Sequence, residues 1–187
     1  THAGGEVNVS AATLIIGESA GSKGTYLLQD GSLSGGIVIG DAGTGELIQT
    51  GGIINLASAD MIIADETTGV GEFNISAGSV NGSGTTPYIY VGNGGDGVYN
   101  QTGGTVSLNQ LRVGNGGSGT GTANISGGLL EMTSSMTIGA ANSTGVVNYT
   151  GGEVNVTGNL HVGWGNGGTG ELVVTGTTLD ITGTLQV

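Results

Sequence analysis

The sequence contains no cysteine, one proline and only two basic residues, Lys23 and Arg112. The lack of cysteine excludes a disulfide framework and a thiolate metal site. Fourteen acidic residues give a formal net charge of −12. Nucleic acids and anionic membranes are bound by clusters of lysine and arginine, so neither is expected as a partner. The sequence also has no apolar run long enough to span a bilayer, and membrane insertion is not expected.

Glycine is abundant, with 43 of 187 residues. Such a composition is usual in linkers and disordered chains. Here the glycines recur at fixed places and 36% of the residues are hydrophobic, which indicates a folded chain. A repeat of 21 to 26 residues covers residues 1–187 as a single domain, and its copies start near Gly5, Gly31, Gly52, Gly78, Gly104, Gly128, Gly152 and Thr177. A period of this size predicts stacked coils, seven complete and one partial.

Each repeat contains three short strands separated by glycine-rich corners. In the clearest repeat the strands are 153–156, 160–162 and 171–174, and apolar residues alternate with polar ones in each. This alternation predicts strands with one buried face. The expected fold is an all-β, three-sided parallel β-solenoid with about 24 residues per coil. Right-handed winding is the usual hand of parallel crossovers, and about 4.8 Å per coil gives a rod about 35 Å long.

Two columns of glycine lie between the second and third strands of the coils. The first is Gly17, Gly40, Gly92, Gly114, Gly139 and Gly163, with Ala64 as the exception; the second is Gly24, Gly45, Gly71, Gly97, Gly121, Gly145 and Gly170. We predict that these positions turn a corner where a Cβ atom would clash. No lysine and no helix follow them, which argues against a phosphate-binding loop.

Two segments carry a family resemblance. Residues 97–106 (GVYNQTGGTV) and 121–128 (GTANISGG) resemble the repeat associated with bacterial autotransporter (type V secretion) passengers and PEP-CTERM surface proteins. The resemblance covers nearly the whole chain and is clearest over residues 92–176. It implies a secreted or cell-surface β-helix that is often adhesive or structural, and it brings no catalytic residues.

Acidic residues follow the first glycine column in three successive coils, at Glu18, Asp41 and Asp65. Stacked carboxylates could bind Ca²⁺ through their oxygens. The alternative is that Asp and Asn side chains cap such turns by bonding to the local backbone. The sequence does not match the calcium-binding repeat of β-rolls, so capping is favoured and no cofactor is expected.

Four further residues are candidates for a catalytic or metal site: Glu46, Glu72, His2 and His161. Glu46 and Glu72 should be outward neighbours in adjacent coils, at a separation compatible with a pair of glycosidase carboxylates. A solvated acidic face is the simpler interpretation, and the protein is not expected to be an enzyme. His2 and His161 are expected at outward positions far apart, which argues against a zinc site.

An asparagine column at 74, 100, 124 and 148 could form a hydrogen-bonded ladder along the axis.

The outward residues of the second strand begin with an apolar stripe of Ile15, Val38, Ile62 and Tyr90, followed by polar residues. A contiguous apolar stripe of this kind often marks a contact surface. We therefore expect a lateral partner there, either a neighbouring subunit or another part of the chain.

The ends show no polar cap, which solenoids usually need. Val7 and Val9 at one end, and Leu185 and Val187 at the other, would leave an open apolar cross-section. Two explanations remain open: the chain is a piece of a longer β-helix, or copies stack head to tail into a homopolymer that covers both ends. The leading expectation is therefore a structural extracellular protein, a subunit of a fibre or surface scaffold. An adhesin or passenger segment that binds glycans is the alternative, and a polysaccharide-active β-helix enzyme is third.

Overall fold

A computed structural model describes residues 1–9 and 11–187 and shows an all-β solenoid of about eight turns, with about 24 residues per turn. None of the described residues is helical. The strands are β1 (His2–Ile16), β2 (Lys23–Ile39), β3 (Thr44–Ala57), β4 (Met61–Ile63), β5 (Val70–Gly82), β6 (Tyr88–Val91), β7 (Asp96–Gln101), β8 (Thr105–Val113), β9 (Thr120–Ile125), β10 (Leu129–Ala140), β11 (Thr144–Tyr149), β12 (Glu153–Val156), β13 (Leu160–Trp164), β14 (Thr169–Val174), β15 (Leu179–Ile181) and β16 (Leu185–Gln186).

All strand pairs are parallel, and they form three ladders, one for each side of the solenoid. Long strands such as β10 turn a corner and join two ladders, since β10 pairs with β12 on the first side and with β13 on the second. The inward column of the second side runs through Leu14, Ile37, Met61, Ile89, Leu111, Met136, Leu160 and Leu185. This is the predicted register. It is strongly specified, since a shift of one residue would turn every apolar side chain of a strand outward.

The core is one continuous column of inward side chains from the three sides. On the third side, the Phe73 and Tyr99 rings stack with centroids 5.6 Å apart. Ala123, in the coil that follows, pairs with Tyr99 and is fully buried. A small residue beside a large one keeps the volume of the layer filled without overpacking.

The first glycine column requires a left-handed backbone. Its glycines have φ between +69° and +77°, and Ala64, the exception, has φ +62°. Glycine adopts this conformation without the steric penalty of a Cβ atom. The prediction that these positions turn the corner is confirmed.

The second glycine column is needed for a different reason, which Gly121 illustrates. A Cβ atom on Gly121 would lie 2.1 Å from Val91 O and 2.3 Å from Gly114 N. These two atoms form a 2.8 Å hydrogen bond between coils. The space of the missing side chain is thus occupied by a backbone hydrogen bond. Gly24 lies in the first coil, where no coil beneath supplies the acceptor, and its Cβ atom would have no contact closer than 3.0 Å.

The last inward position of the third side alternates between polar and apolar residues from coil to coil. The polar members, which we name the clasp residues, are His2, Gln49, Gln101 and Tyr149. The apolar members between them are Leu28, Ile75, Ile125 and Val174. The pattern therefore has a period of two coils.

The clasp residues bond to backbone carbonyls at the start of the first-side strands. Gln49 Nε2 donates to Gly52 O in its own coil (3.3 Å) and to Ser79 O in the next (3.0 Å). The Tyr149 hydroxyl likewise lies 2.7 Å from Gly152 O and 2.9 Å from Thr178 O. Each of these two side chains thus links two successive coils through their backbone carbonyls.

Candidate functional site

The structure places Glu18, Asp41 and Asp65 at the corner that follows the first glycine column. The N–H groups of Asp41 and Asp65 each donate to a carbonyl of the coil beneath, at 3.1 Å. Asp65 Oδ1 accepts a 2.7 Å hydrogen bond from Asn93 Nδ2, and Asn93 Oδ1 accepts one of the same length from Asn115. From Asp65 upward the column is therefore a ladder of amide hydrogen bonds. Within residues 1–9 and 11–187, no three His, Cys, Asp or Glu side chains lie close enough to hold a metal ion.

Glu46 and Glu72 are register partners in adjacent coils, as expected. Glu46 Oε2 lies 3.4 Å from the Thr25 hydroxyl, and Glu72 Oε1 accepts a 3.0 Å hydrogen bond from Asn100 Nδ2. Both carboxylates are half-buried on the third side. Each is thus supported by a neutral donor of the adjacent coil, in the manner of a polar ladder.

The asparagine column forms the predicted ladder. Asn100 Nδ2 donates to Asn74 Oδ1 at 2.8 Å, Asn124 to Asn100 at 2.8 Å and Asn148 to Asn124 at 2.9 Å. Asn100 and Asn124 each donate to the coil beneath and accept from the coil above, so the column ties four coils together along the axis.

The expectation that both histidines face outward is wrong for His2. His2 pairs with Leu28, occupies an inward position and is 8% exposed. Its Nδ1 atom lies 2.9 Å from the Tyr26 hydroxyl and its Nε2 atom 3.3 Å from Gly5 O. The ring fills a core position because it acts as the first clasp residue. His161 does face outward, and its ring lies 5.7 Å from the ring of Trp164.

The outward stripe on the second side has the predicted register, since Ile15, Val38, Ile62 and Tyr90 pair in succession. Ile15 is 40% exposed, whereas the other three are half-buried. The apolar stripe is therefore contiguous along four coils and most accessible at the end nearest residue 15.

The stripe ends in a cluster of two tyrosines and the only arginine. Tyr88 and Tyr90 alternate with buried Ile89, so both rings lie on the outer surface, 5.7 Å apart and nearly perpendicular. Arg112, in the coil that follows, is the register partner of Tyr90. Its guanidinium carbon lies 5.2 Å from the Tyr88 ring centroid and 5.9 Å from that of Tyr90. We call Tyr88, Tyr90 and Arg112 the aromatic–arginine cluster.

Neutral oxygens orient the arginine in this cluster. Arg112 Nε donates to Gln110 Oε1 at 3.2 Å, and Nη1 donates to Asn115 Oδ1 at 3.4 Å. Burial raises the pKa of Tyr90, and the Asp60 carboxylate adds to this effect. Sequence reasoning missed Tyr88, although the outward alternation Tyr-Ile-Tyr at 88–90 was a signal that could have identified it.

Comparisons with protein-family models, with curated proteins and with solved structures found no match to this chain. No described segment forms a helix long and apolar enough to cross a membrane.

The ends of the core are open. At the last coil, inward Leu185 is 52% exposed and Val187 is 98% exposed. At the other end, Val7 and Val9 are half-buried, and their strand β1 pairs only with β2. Each end thus presents apolar side chains together with strand edges that can still form hydrogen bonds.

Proposed function

We propose that the protein is a structural, non-catalytic element of an extracellular scaffold, extended along its axis by end-to-end pairing of copies. The observation that carries the proposal is the exposed apolar surface at the last coil, where Leu185 continues the inward column and Val187 follows it. Burying such side chains stabilises association by about 25 cal/mol per Å² of apolar surface.

The pairing would continue the ladders of the first and second sides, while an added copy would contribute only its residues 1–3 to the third side. In the register that extends the solenoid, Val7 and Val9 of one copy would lie on Leu179 and Ile181 of another, and Leu14 would lie on Leu185. Leu179 and Ile181 already pack at the edge of the core in half-buried positions. Such a contact is heterologous and does not close, so it produces a linear polymer.

The alternation of clasp and apolar residues favours the same stacking register between copies. The last complete third-side strand ends with apolar Val174, and the position that follows an apolar member is a polar clasp. His2 of an added copy would supply that clasp. The polar and apolar layers would therefore keep their period of two coils across the junction.

The extracellular location is part of the proposal. It is supported by the absence of cysteine and the low content of lysine, and by the resemblance of residues 97–106 and 121–128 to a repeat of bacterial surface proteins.

The test is particle length as a function of concentration, measured by negative-stain electron microscopy and sedimentation velocity. We expect rods in multiples of about 35 Å, one solenoid length. Leu185→Lys should stop the growth, because it places a charge on the buried junction. Gln186→Lys is the matched control, since its side chain alternates to the outer surface. Single rods at every concentration, or equal polymer loss in the two variants, would overturn the proposal.

A further inference from the structure

The aromatic–arginine cluster has the features of a ligand site that the scaffold role does not use. Three of the seven aromatic residues, Phe73, Tyr99 and Tyr149, are buried in the core. Tyr88 and Tyr90 instead lie side by side on the outer surface of the second side. Exposed aromatic rings with polar neighbours are characteristic of binding sites, because the ring face gives apolar contact and the hydroxyl gives a hydrogen bond.

Arg112 forms no ion pair with a described residue, although the Asp60 carboxylate lies close enough to act on Tyr90. The chain has 14 acidic residues and one arginine, yet the contacts of Arg112 in the described structure are two amide oxygens and two tyrosine rings. These contacts use Nε and Nη1 and leave Nη2 available. The planar guanidinium is therefore fixed in place by neutral groups, with Nη2 left as a charged donor for a carboxylate oxygen.

The surroundings of the cluster suit an extended, hydroxyl-rich chain that runs along the solenoid axis. The ladder of Asp65, Asn93 and Asn115 lies at the adjacent corner and joins the cluster through the bond from Arg112 to Asn115. Polar groups in this ladder repeat at the strand spacing of about 4.8 Å. Sugar rings in an extended polysaccharide advance by a similar distance, so successive hydroxyl groups can meet successive coils.

We propose that the aromatic–arginine cluster binds an acidic polysaccharide, with Arg112 holding the carboxylate of a uronic acid and Tyr88 and Tyr90 packing against the sugar rings. This site goes beyond the scaffold role and does not depend on it. The net charge of −12 repels anions in general, so binding depends on this local cation and the loss of Arg112 should weaken it strongly.

The direct test is calorimetric titration of the full chain with short oligomers of galacturonate, glucuronate and mannuronate. We expect at least one of the three to bind. The neutral galactose and glucose oligomers should bind at least tenfold more weakly, as should poly-glutamate, which carries carboxylates without sugar rings. Failure of all three uronates, or equal binding of a neutral sugar or of poly-glutamate, would overturn the proposal.

Variants make the test specific for the residues. Arg112→Gln should weaken binding roughly tenfold or more, the loss expected from a charge-assisted hydrogen bond. Lys23→Gln removes the only other basic side chain and should leave affinity within about twofold, because the general electrostatic change is the same. Tyr90→Ser should weaken binding while the thermal midpoint stays within a few degrees of the parent. Equal effects of the Arg112 and Lys23 variants would show that only net charge matters and would refute the site.

Discussion

Replacing Gly121 with alanine tests whether the second glycine column exists to make room for a hydrogen bond. Gly121 does not have a positive φ, so alanine introduces no backbone strain there. The new Cβ atom would lie 2.1 Å from Val91 O and 2.3 Å from Gly114 N, between the two atoms of a 2.8 Å inter-coil bond. We expect the substitution to break that bond.

The magnitude follows from the two groups that lose their partner. A buried donor or acceptor left unsatisfied costs about 1–3 kcal/mol. Two such groups, offset by about 0.4–1 kcal/mol from the reduced entropy of the unfolded chain, give a net destabilisation of about 2–5 kcal/mol. This is a large share of the roughly 5–15 kcal/mol that stabilises a typical domain.

Gly24→Ala is the matched control. Gly24 belongs to the same column and also lacks a positive φ, but its Cβ atom would meet Gly17 N and Ile16 Cγ2 at 3.0 Å and would interrupt no inter-coil bond. We expect its free energy of unfolding to stay within about 1 kcal/mol of the parent. Gly97→Ala, which would place Cβ 2.3 Å from Gly92 N, should behave like Gly121→Ala.

Guanidinium unfolding, followed by circular dichroism and by the fluorescence of the single tryptophan, Trp164, measures the effect. The midpoint should fall for Gly121→Ala and Gly97→Ala while the slope of the transition is unchanged. An equal fall for all three variants, or parental stability of Gly121→Ala, would refute this account of the column.

Three further predictions concern the ladders, the buried tyrosine and the stripe. Asn124→Ala removes two ladder bonds and should destabilise the protein by about 1–2 kcal/mol in urea unfolding; a change under about 0.3 kcal/mol would contradict the role of the ladder. Burial raises the pKa of Tyr99 in the folded state, so the unfolded chain loses this proton first, and the free energy of unfolding should fall as pH rises above about 10. Urea unfolding of Tyr99→Phe should show a smaller alkaline fall, and an identical pH dependence in the two proteins would count against burial as the cause. Replacing Ile15 and Ile62 together with serine should weaken any lateral association seen by sedimentation without changing rod length, and unchanged association would exclude the stripe as a contact surface.

Much of the fold could be predicted from the sequence, because alternation and glycine spacing report directly on which residues face inward. The inward columns and the asparagine ladder follow from that alternation, and the structure has both in the predicted register. The inward position of His2 could not be predicted in this way, because alternation assigns apolar residues to the core and His2 is polar. Its partners, Gly5 O and the Tyr26 hydroxyl, are known only once the corner is folded.

The candidate site was only partly visible in the sequence. The sequence places Tyr90 in the outward column of the second strand, but the approach of the Arg112 guanidinium to Tyr88 joins two different columns and depends on side-chain conformation. The polar corner residues were predicted to be caps or calcium ligands. The amide ladder from Asp65 through Asn93 to Asn115 appears only when the lengths of successive corners place their side chains in line.

The clasp residues set the unit by which such a rod can change its length. Removing the single coil that carries Gln101 would stack Ile75 beneath Ile125 and remove the 2.9 Å hydrogen bond that Gln101 Nε2 donates to the Leu129 carbonyl. Removing the coil that carries Ile75 would instead bring two buried amides, Gln49 and Gln101, into adjacent layers, although Gln49 Oε1 already has no partner in the described structure. Deleting or inserting two neighbouring coils preserves the alternation of polar and apolar layers at this position. A designer who wishes to shorten or lengthen this solenoid should therefore count in pairs of coils, about 48 residues at a time given about 24 residues per turn.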